Sequence, residues 1–550
     1  MSVSSQPRRV LVLGLDGSAF DVLRPLADAG ELPHLARWLG EGVARPLCST
    51  TPPMSFPAWS TFQTGLEPGD HGLLDFTQKQ AGAYRIRFTN ARDRQGRSLF
   101  ARVSQAGGSV LALGMPATFP PEPLDGLLVT GFDAPVSAGT QPRSASDPGL
   151  YQRIAARTGP WMLPGLDEAA AAEGWHERAA GSLVERVERK RAFALEALAQ
   201  LRAAGRDPQL MCVVFSESDT VAHHFWRDHD PDSPRHDPGA SPTRRQALTA
   251  VYRALDSACG ELRAAFGDEA LCVVVSDHGS GGAARRIVHL GRRLAETGLL
   301  QRSDSRSALD SLARSARDAA LRVLSPPMAE RIFRSARSAA ARVESAARFG
   351  GHDWKRTHAF TEDVNTQPGV WINLRRREAS GCVAASDYER VRDDVIASLA
   401  DWKLPGAGPV VARARRREDV YSGPHVDRAP DIVVELASDA GYGLSLVPTP
   451  WTRGDDSSVT TLSDHELGGG RGRGMNGTHR QDGVWIAHGV GARAPRDAEH
   501  PRLSDAAPAL LAALGLAWDA NDAAAPRPSP YSAEEEAQVA ARLRALGYLE

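Results

Sequence analysis

The sequence predicts an α/β fold: a central, mostly parallel β-sheet flanked by helices, with helical and loop insertions. Three observations predict it. Short β-branched, apolar runs alternate along the chain with longer stretches of helical periodicity, the order that produces parallel strands joined by helical crossovers. Several of those runs are uninterrupted by polar residues, as buried strands require. The chain is also 550 residues long, more than one small core needs, which implies one large α/β domain with insertions or more than one domain.

Taken in order, the expected strands are Val10–Leu15, Ser109–Leu113, Gly126–Thr130, Leu210–Phe215, Leu271–Val275, Asp431–Leu436 and Gly483–Ala487. The expected helices are Leu32–Leu39, Gly181–Ala203, Ser241–Ala265 and Ser504–Leu514. Arg227–Arg244 is rich in Asp, Pro, His and Arg without periodicity and reads as an exposed loop. In the Ala-, Arg- and Ser-rich stretch 303–349, Leu309, Leu312, Ala316, Ala319 and Val323, then Ile332, Ala336, Ala339 and Val343, recur at helical spacing around Pro326-Pro327. A helical hairpin with a basic outer face is expected there. In the tail 521–550, Ser532 stands three residues before Glu535, the pattern of a capping box opening a last helix, with Val539, Leu543 and Leu546 on one side. The expected division is a catalytic core from 1–302 and 350–520, the hairpin insertion, and this tail.

Charge excludes some classes of function. The 65 basic and 67 acidic residues nearly cancel, which argues against a chain whose main task is gripping nucleic acid. The five cysteines show no paired spacing, and Cys212 and Cys272 lie inside apolar runs as small core residues. The run that ends at Asp16 is too short for a signal segment or a membrane span, and no later segment is long and apolar enough to cross a bilayer. A cytoplasmic protein in a reducing compartment is the expectation.

Chemistry is expected just past strand ends, because loops and helix N-termini converge there. Asp16 closes a buried strand, where a carboxylate is costly unless paired or metal-bound, though a helix-capping Asp looks the same. Ser55 lies in Met54-Ser-Phe-Pro57, where the proline fits a first helical turn. That places the hydroxyl at or beside a helix N-terminus, a site favouring phosphate, or makes Ser55 the cap itself. Asp219 and His223 share one helical face at i, i+4 and can reach one ion, whereas His224 points elsewhere. Asp277-His278-Gly279 follows the apolar Leu271–Val275 run directly, and His479 sits in a glycine-rich loop. Singly these signals are weak. Together they supply the oxygen and imidazole ligands for two zinc-like ions, the equipment of in-line phosphoryl transfer.

The ordered set Gly14-Leu-Asp16-Gly, Met54-Ser-Phe-Pro-Ala-Trp59, Thr64-Gly65, His71-Gly72, Asp219-x-x-x-His223, Ser276-Asp-His-Gly279 and Gly477-Thr-His-Arg480 resembles the type I phosphodiesterase/nucleotide pyrophosphatase family of the alkaline phosphatase superfamily. The resemblance runs from residue 10 to about residue 515. It implies two divalent metal ions, most often Zn2+, with Mn2+ or Mg2+ as alternatives. One would be held by Asp16, Ser55, Asp277 and His278, the other by Asp219, His223 and His479, with Ser55 as the nucleophile that becomes a phosphoserine. The nucleotide pyrophosphatases usually carry Thr where this chain has Ser55, and an Asn shortly after the His-Gly run, where this chain offers Phe76. The sulfatase pattern requires an Arg where Trp59 stands, which excludes that activity. The implied function is metal-dependent hydrolysis of phosphodiester or pyrophosphate bonds in a small phosphate ester or nucleotide-like substrate. A phosphomonoesterase using the same site, and an inactive relative that binds a phosphorylated ligand, are the alternatives.

Overall fold

The computed structural model describes residues 9–134, 141–163, 175–303, 340–451, 457–464, 466–468, 475–520, 531–545 and 549. Its centre is a seven-stranded sheet in the order Val43–Cys48, Asp482–Gly489, Leu271–Val275, Val10–Leu15, Leu210–Phe215, Val110–Met115, Gly126–Thr130. The last five are mutually parallel, and only Asp482–Gly489 runs against its neighbours. The expected strands are therefore present, within two residues at most ends.

Both faces of the sheet are covered, which explains the uninterrupted apolar runs. Leu11, Leu13, Leu15, Met211, Val213, Phe215, Cys272 and Val274 enter one core cluster. Their sequence neighbours Val10, Val12, Leu210, Cys212, Val214, Val273 and Val275 enter the other. Side chains alternate across a pleat, so each run feeds two cores at once. The helices Trp175–Ala203 and Pro242–Phe266 pack on the first face. The second of them starts where Ser241 Oγ accepts from Arg244 N and Pro242 takes the first helical position, where no N–H is needed. Ala506–Ala513 packs on the other face.

Two further sheets lie beyond the strand ends. Gly279–Val288, continuing directly from the Leu271–Val275 strand, pairs with Tyr442–Leu446, Val459–Thr461 and Gly477–Arg480. A four-stranded antiparallel sheet takes Ala359–Phe360, Gly369–Ile372, Ile432–Leu436 and Val411–Arg416.

Two expectations need correction. Arg227–Arg244 is not simply exposed: the helix Glu217–His229 extends into it. Arg235 is 1% exposed, donating Nε to Ala284 O at 2.8 Å and Nη1 to Met475 O at 2.6 Å. A guanidinium donating to a strand carbonyl and to the segment leading into another strand is stapled inward despite its charge. In the expected hairpin, residues 304–339 lie outside the described residues, and its described end is the helix Ala340–Phe349. There Val343 faces outward at 46% exposure, while Arg348 is buried against Glu344, Glu362 and Thr77. The ion pairs, not the aliphatic stripe, choose the inward face. The last helix is Ala533–Ala545, with the Ser532/Glu535 capping box made in both directions and Val539 and Leu543 buried. Leu546 lies outside the described residues.

Candidate metal centre

Three neighbouring strands of the central sheet deliver the acidic groups. Leu15 pairs with Phe215 and Gly14 with Val275 in parallel register, so the residues that follow emerge side by side: Asp16, then Asp219 in the first turn of Glu217–His229, then Asp277-His278. Gly17 permits this crowding. Its φ is +66°, and a Cβ there would lie 2.8 Å from Asp219 Oδ1. His479 arrives on the Gly477–Arg480 strand, paired with Ser280, one step beyond Gly279.

Ser55 is the first residue of the helix Ser55–Thr64; the cap position is Met54, which offers no side-chain cap. The hydroxyl is thus not an N-cap. It lies 3.4 Å from Asp16 Oδ1 and 3.1 Å from His278 Nε2, fully buried.

The side chains form two clusters, Asp16 with Asp277 and His278, and Asp219 with His223 and His479, each with its candidate ligand atoms within 4.8 Å of one another. The clusters are adjacent, since the His278 and His479 rings stack with centroids 3.8 Å apart. Each imidazole is aimed by a backbone carbonyl. His223 Nδ1 donates to Gly477 O at 2.9 Å, His278 Nδ1 to Gly279 O at 3.0 Å, and His479 Nδ1 to Pro53 O at 2.8 Å. A carbonyl only accepts, so Nδ1 carries the proton and Nε2 turns its lone pair to the cluster, the tautomer of a metal-ligating histidine. His224, on the opposite side of the helix, packs edge-on against Trp175.

The arrangement fits bound cations on three counts. His223 Nε2 and His479 Nε2 lie 2.9 Å apart, with Asp219 Oδ1 at 3.2 and 3.5 Å from them. Two facing lone pairs beside a carboxylate need a proton or a metal between them. Asp219 Oδ1 and Asp277 Oδ2 are buried without a hydrogen-bond partner among the described residues, a cost a cation would remove. Burial, with Asp277 beside it, drives the Asp16 carboxyl well above its ordinary range, and burial pushes Asp277 up to about 7. Burial pushes His278 down to about 3, keeping it in the neutral, ligating form. Burial also opposes charge on Asp219, but His223 and His479 hold that carboxyl well below its ordinary value.

The sequence reading missed several residues that set this geometry. Trp59 Nε1 donates to Asp16 Oδ2 at 3.2 Å, orienting Oδ1 towards Ser55. Its signal was available: Trp59 is four residues after Ser55, on the same helical face. Ser218 Oγ donates to Asp16 O at 2.6 Å, and Ser276 Oγ accepts from Ser18 N at 2.9 Å. Phe76 lies in the core beside Phe56, ring centroids 5.1 Å apart, and presents no donor.

A cavity of about 470 Å3 opens beside the clusters. His223 and His479 line it, together with Thr51–Met54 ahead of Ser55 and with residues 361–366, 434–438 and 443–449.

Phosphonoacetate hydrolase from Sinorhizobium meliloti 1021 in complex with phosphonoformate is similar over 93% of this chain and 98% of its own, at 16% identity and a TM-score of 0.48. Murine ectonucleotide pyrophosphatase / phosphodiesterase 5 is similar over 93% and 96%, at 15% identity and a TM-score of 0.44. A search of curated proteins finds no match. Among the described residues no helix is long and apolar enough to cross a membrane. The family described as Type I phosphodiesterase / nucleotide pyrophosphatase, whose enzymes are metal-dependent, matches residues 10–445. The chain belongs to that family, and so to the hydrolases of phosphoric ester bonds.

Proposed function

We propose that the protein hydrolyses phosphodiester or pyrophosphate bonds through a phosphoserine on Ser55, with two divalent cations, Zn2+ by preference. Asp16, Ser55, Asp277 and His278 would hold one cation, and Asp219, His223 and His479 the other. The observation that carries the reading is Ser55 Oγ, at a helix N-terminus, within 3.4 Å of Asp16 Oδ1 and 3.1 Å of His278 Nε2. When bound, the cations supply Lewis acidity, lowering the pKa of the hydroxyl and neutralising phosphoryl oxygens. The rest falls to the protein. The Ser55–Thr64 helix directs its positive end at the phosphoryl group. Asp16, held by Trp59, keeps the hydroxyl in line. The Ser55 Oγ–P bond forms as the bond to the leaving oxygen breaks, and water then attacks phosphorus and restores the hydroxyl. The adjoining cavity receives the organic part of the substrate. Imidazole and carboxylate ligands suit zinc.

Phe76 favours a second reading, hydrolysis of monoesters at the same site, because it offers no donor to a diester's phosphoryl oxygen. A panel of bis(p-nitrophenyl) phosphate, p-nitrophenyl phosphate and a dinucleoside pyrophosphate, assayed with and without chelator, separates the two. Ser55→Ala is expected to lose at least about a thousandfold in kcat while keeping its metal, and acid-quenched wild type should carry phosphate on Ser55. Equal turnover by wild type and Ser55→Ala would remove the nucleophile assignment; preference for the monoester would favour the second reading.

A further inference from the structure

The segment that delivers the nucleophile is unusually well held. Every carbonyl from Ser49 to Met54 has a donor. Gln481 Nε2 donates to Ser49 O at 2.7 Å and to Thr50 O at 3.1 Å. Tyr421 Oη donates to Thr51 O at 2.5 Å. Thr50 Oγ1 donates to Pro52 O at 2.8 Å, His479 Nδ1 to Pro53 O at 2.8 Å, and Ala58 N to Met54 O at 2.9 Å. Ser49 N closes the first contact by donating to Gln481 O at 2.9 Å. Three of the five donor residues are remote in sequence, His479 and Gln481 at the end of one strand and Tyr421 after the Val411–Arg416 strand, while Thr50 and Ala58 are local. With Pro52 and Pro53 lacking N–H groups, the segment makes no ladder of its own and depends on these outside donors. Tyr421 stays a donor, since burial drives its hydroxyl above the ordinary tyrosine range.

We infer that Gln481 and Tyr421 are positioning residues for the nucleophile: they pin the carbonyls of residues 49–51 and so hold Ser55 Oγ against Asp16 and His278. Neither side chain touches the reacting atoms. The same segment forms one wall of the 470 Å3 cavity, so a substrate seated there presses on a braced surface rather than displacing Ser55. Misplacement of an attacking atom by about 1 Å costs on the order of a hundredfold in rate. Loss of the pins therefore belongs in kcat; Gln481 also lines the cavity and Tyr421 does not, so it is the Tyr421 variant that must leave KM unchanged.

This inference rests on Ser55 as nucleophile, and its test separates the two. Gln481→Met and Tyr421→Phe keep the shape of the side chain and remove its donor. Each is expected to lower kcat on bis(p-nitrophenyl) phosphate about tenfold and the double variant about a hundredfold, with KM for Tyr421→Phe within about threefold and metal content unchanged in all. In hydrogen exchange read by mass spectrometry, the peptide covering 49–55 should exchange faster in both variants, whereas the Glu217–His229 helix should not change. A double variant with kcat within twofold of wild type overturns the inference, as does unchanged exchange in 49–55. A loss of kcat matched by loss of metal also overturns it, since the residues would then be holding the centre together. If wild type shows no turnover dependent on Ser55, the nucleophile reading fails, and the exchange data still decide whether the segment is pinned.

Discussion

At the scale of single residues, the candidate centre is built by giving each imidazole, and Asp16, one fixed neighbour. The three Nδ1–carbonyl bonds fix the imidazoles, and Trp59 fixes Asp16. Removing such a neighbour costs roughly 10–100-fold in metal affinity or activity in metalloenzymes. Trp59→Phe, which keeps the ring in its buried slot, is accordingly expected to weaken metal binding at the Ser55 cluster about tenfold while leaving the melting temperature of the loaded protein within a few degrees. Competition with a chromophoric chelator measures it, and an unchanged affinity would show that the Trp59–Asp16 bond orients nothing. The candidate ligands were legible in the sequence because charged and imidazole side chains stand just behind apolar runs: Asp16 after Leu15, Asp277 two residues after Val275. What aims them was not, since a carbonyl such as Gly477 O or Pro53 O has no signature in a sequence. Trp59 falls between these cases, marked only by its helical phase to Ser55.

At the scale of elements, the helix bearing Asp219 and His223 is tied to the core by an ion pair. Lys190, from Trp175–Ala203, meets Glu217, the first residue of Glu217–His229, at 2.8 Å with both side chains essentially inaccessible to water. Burial lowers the Lys190 pKa, and Glu217 works against that fall. A buried pair broken on one side leaves an unpaired charge, at a cost of about 3–5 kcal/mol. Lys190→Met is expected to destabilise by that amount in urea unfolding, and Lys190→Met with Glu217→Gln should recover part of it. Equal stability of the single variant and wild type would show that the pair does not anchor the helix. Elements were legible where composition matched burial, as in Leu210–Phe215 and Leu271–Val275, found to the residue. Gly279–Val288 escaped because its GSGG start has no strand propensity and is held by pairing on both sides. Val411–Arg416 escaped because an edge strand tolerates three arginines among its six positions. In Ala340–Phe349 the apolar stripe pointed to the wrong face, because Arg348 finds two carboxylates inside the protein.

At the scale of the whole molecule, burying so many acids makes stability depend on pH. Asp75, fully buried away from the metal centre, is pushed up to about 7 by desolvation, against the pull of Arg348. Its pKa in the fold is above its unfolded value of 3.8, so the folded state binds more protons between those values. The contribution is fully present below about pH 4 and is lost as pH rises through about 7. At about 1.4 kcal/mol per unit this amounts to a few kcal/mol at most. Asp75→Asn keeps an acceptor for Phe76 N and carries no charge, so it is expected to gain on wild type as pH rises from 5 to 8 in urea unfolding. Parallel curves for the two proteins would mean that Asp75 does not titrate in that window.

The candidate centre is a property of the whole chain, since its side chains come from positions 16 to 479, brought together by three parallel strands ending in register, the Ser55–Thr64 helix and the antiparallel Gly477–Arg480 strand. Anomalous diffraction at the zinc edge from crystals grown with Zn2+ tests that meeting most directly. Two peaks are expected, one among Asp16, Ser55, Asp277 and His278, the other among Asp219, His223 and His479. Full-occupancy zinc elsewhere, with no peak at either cluster, would contradict the account.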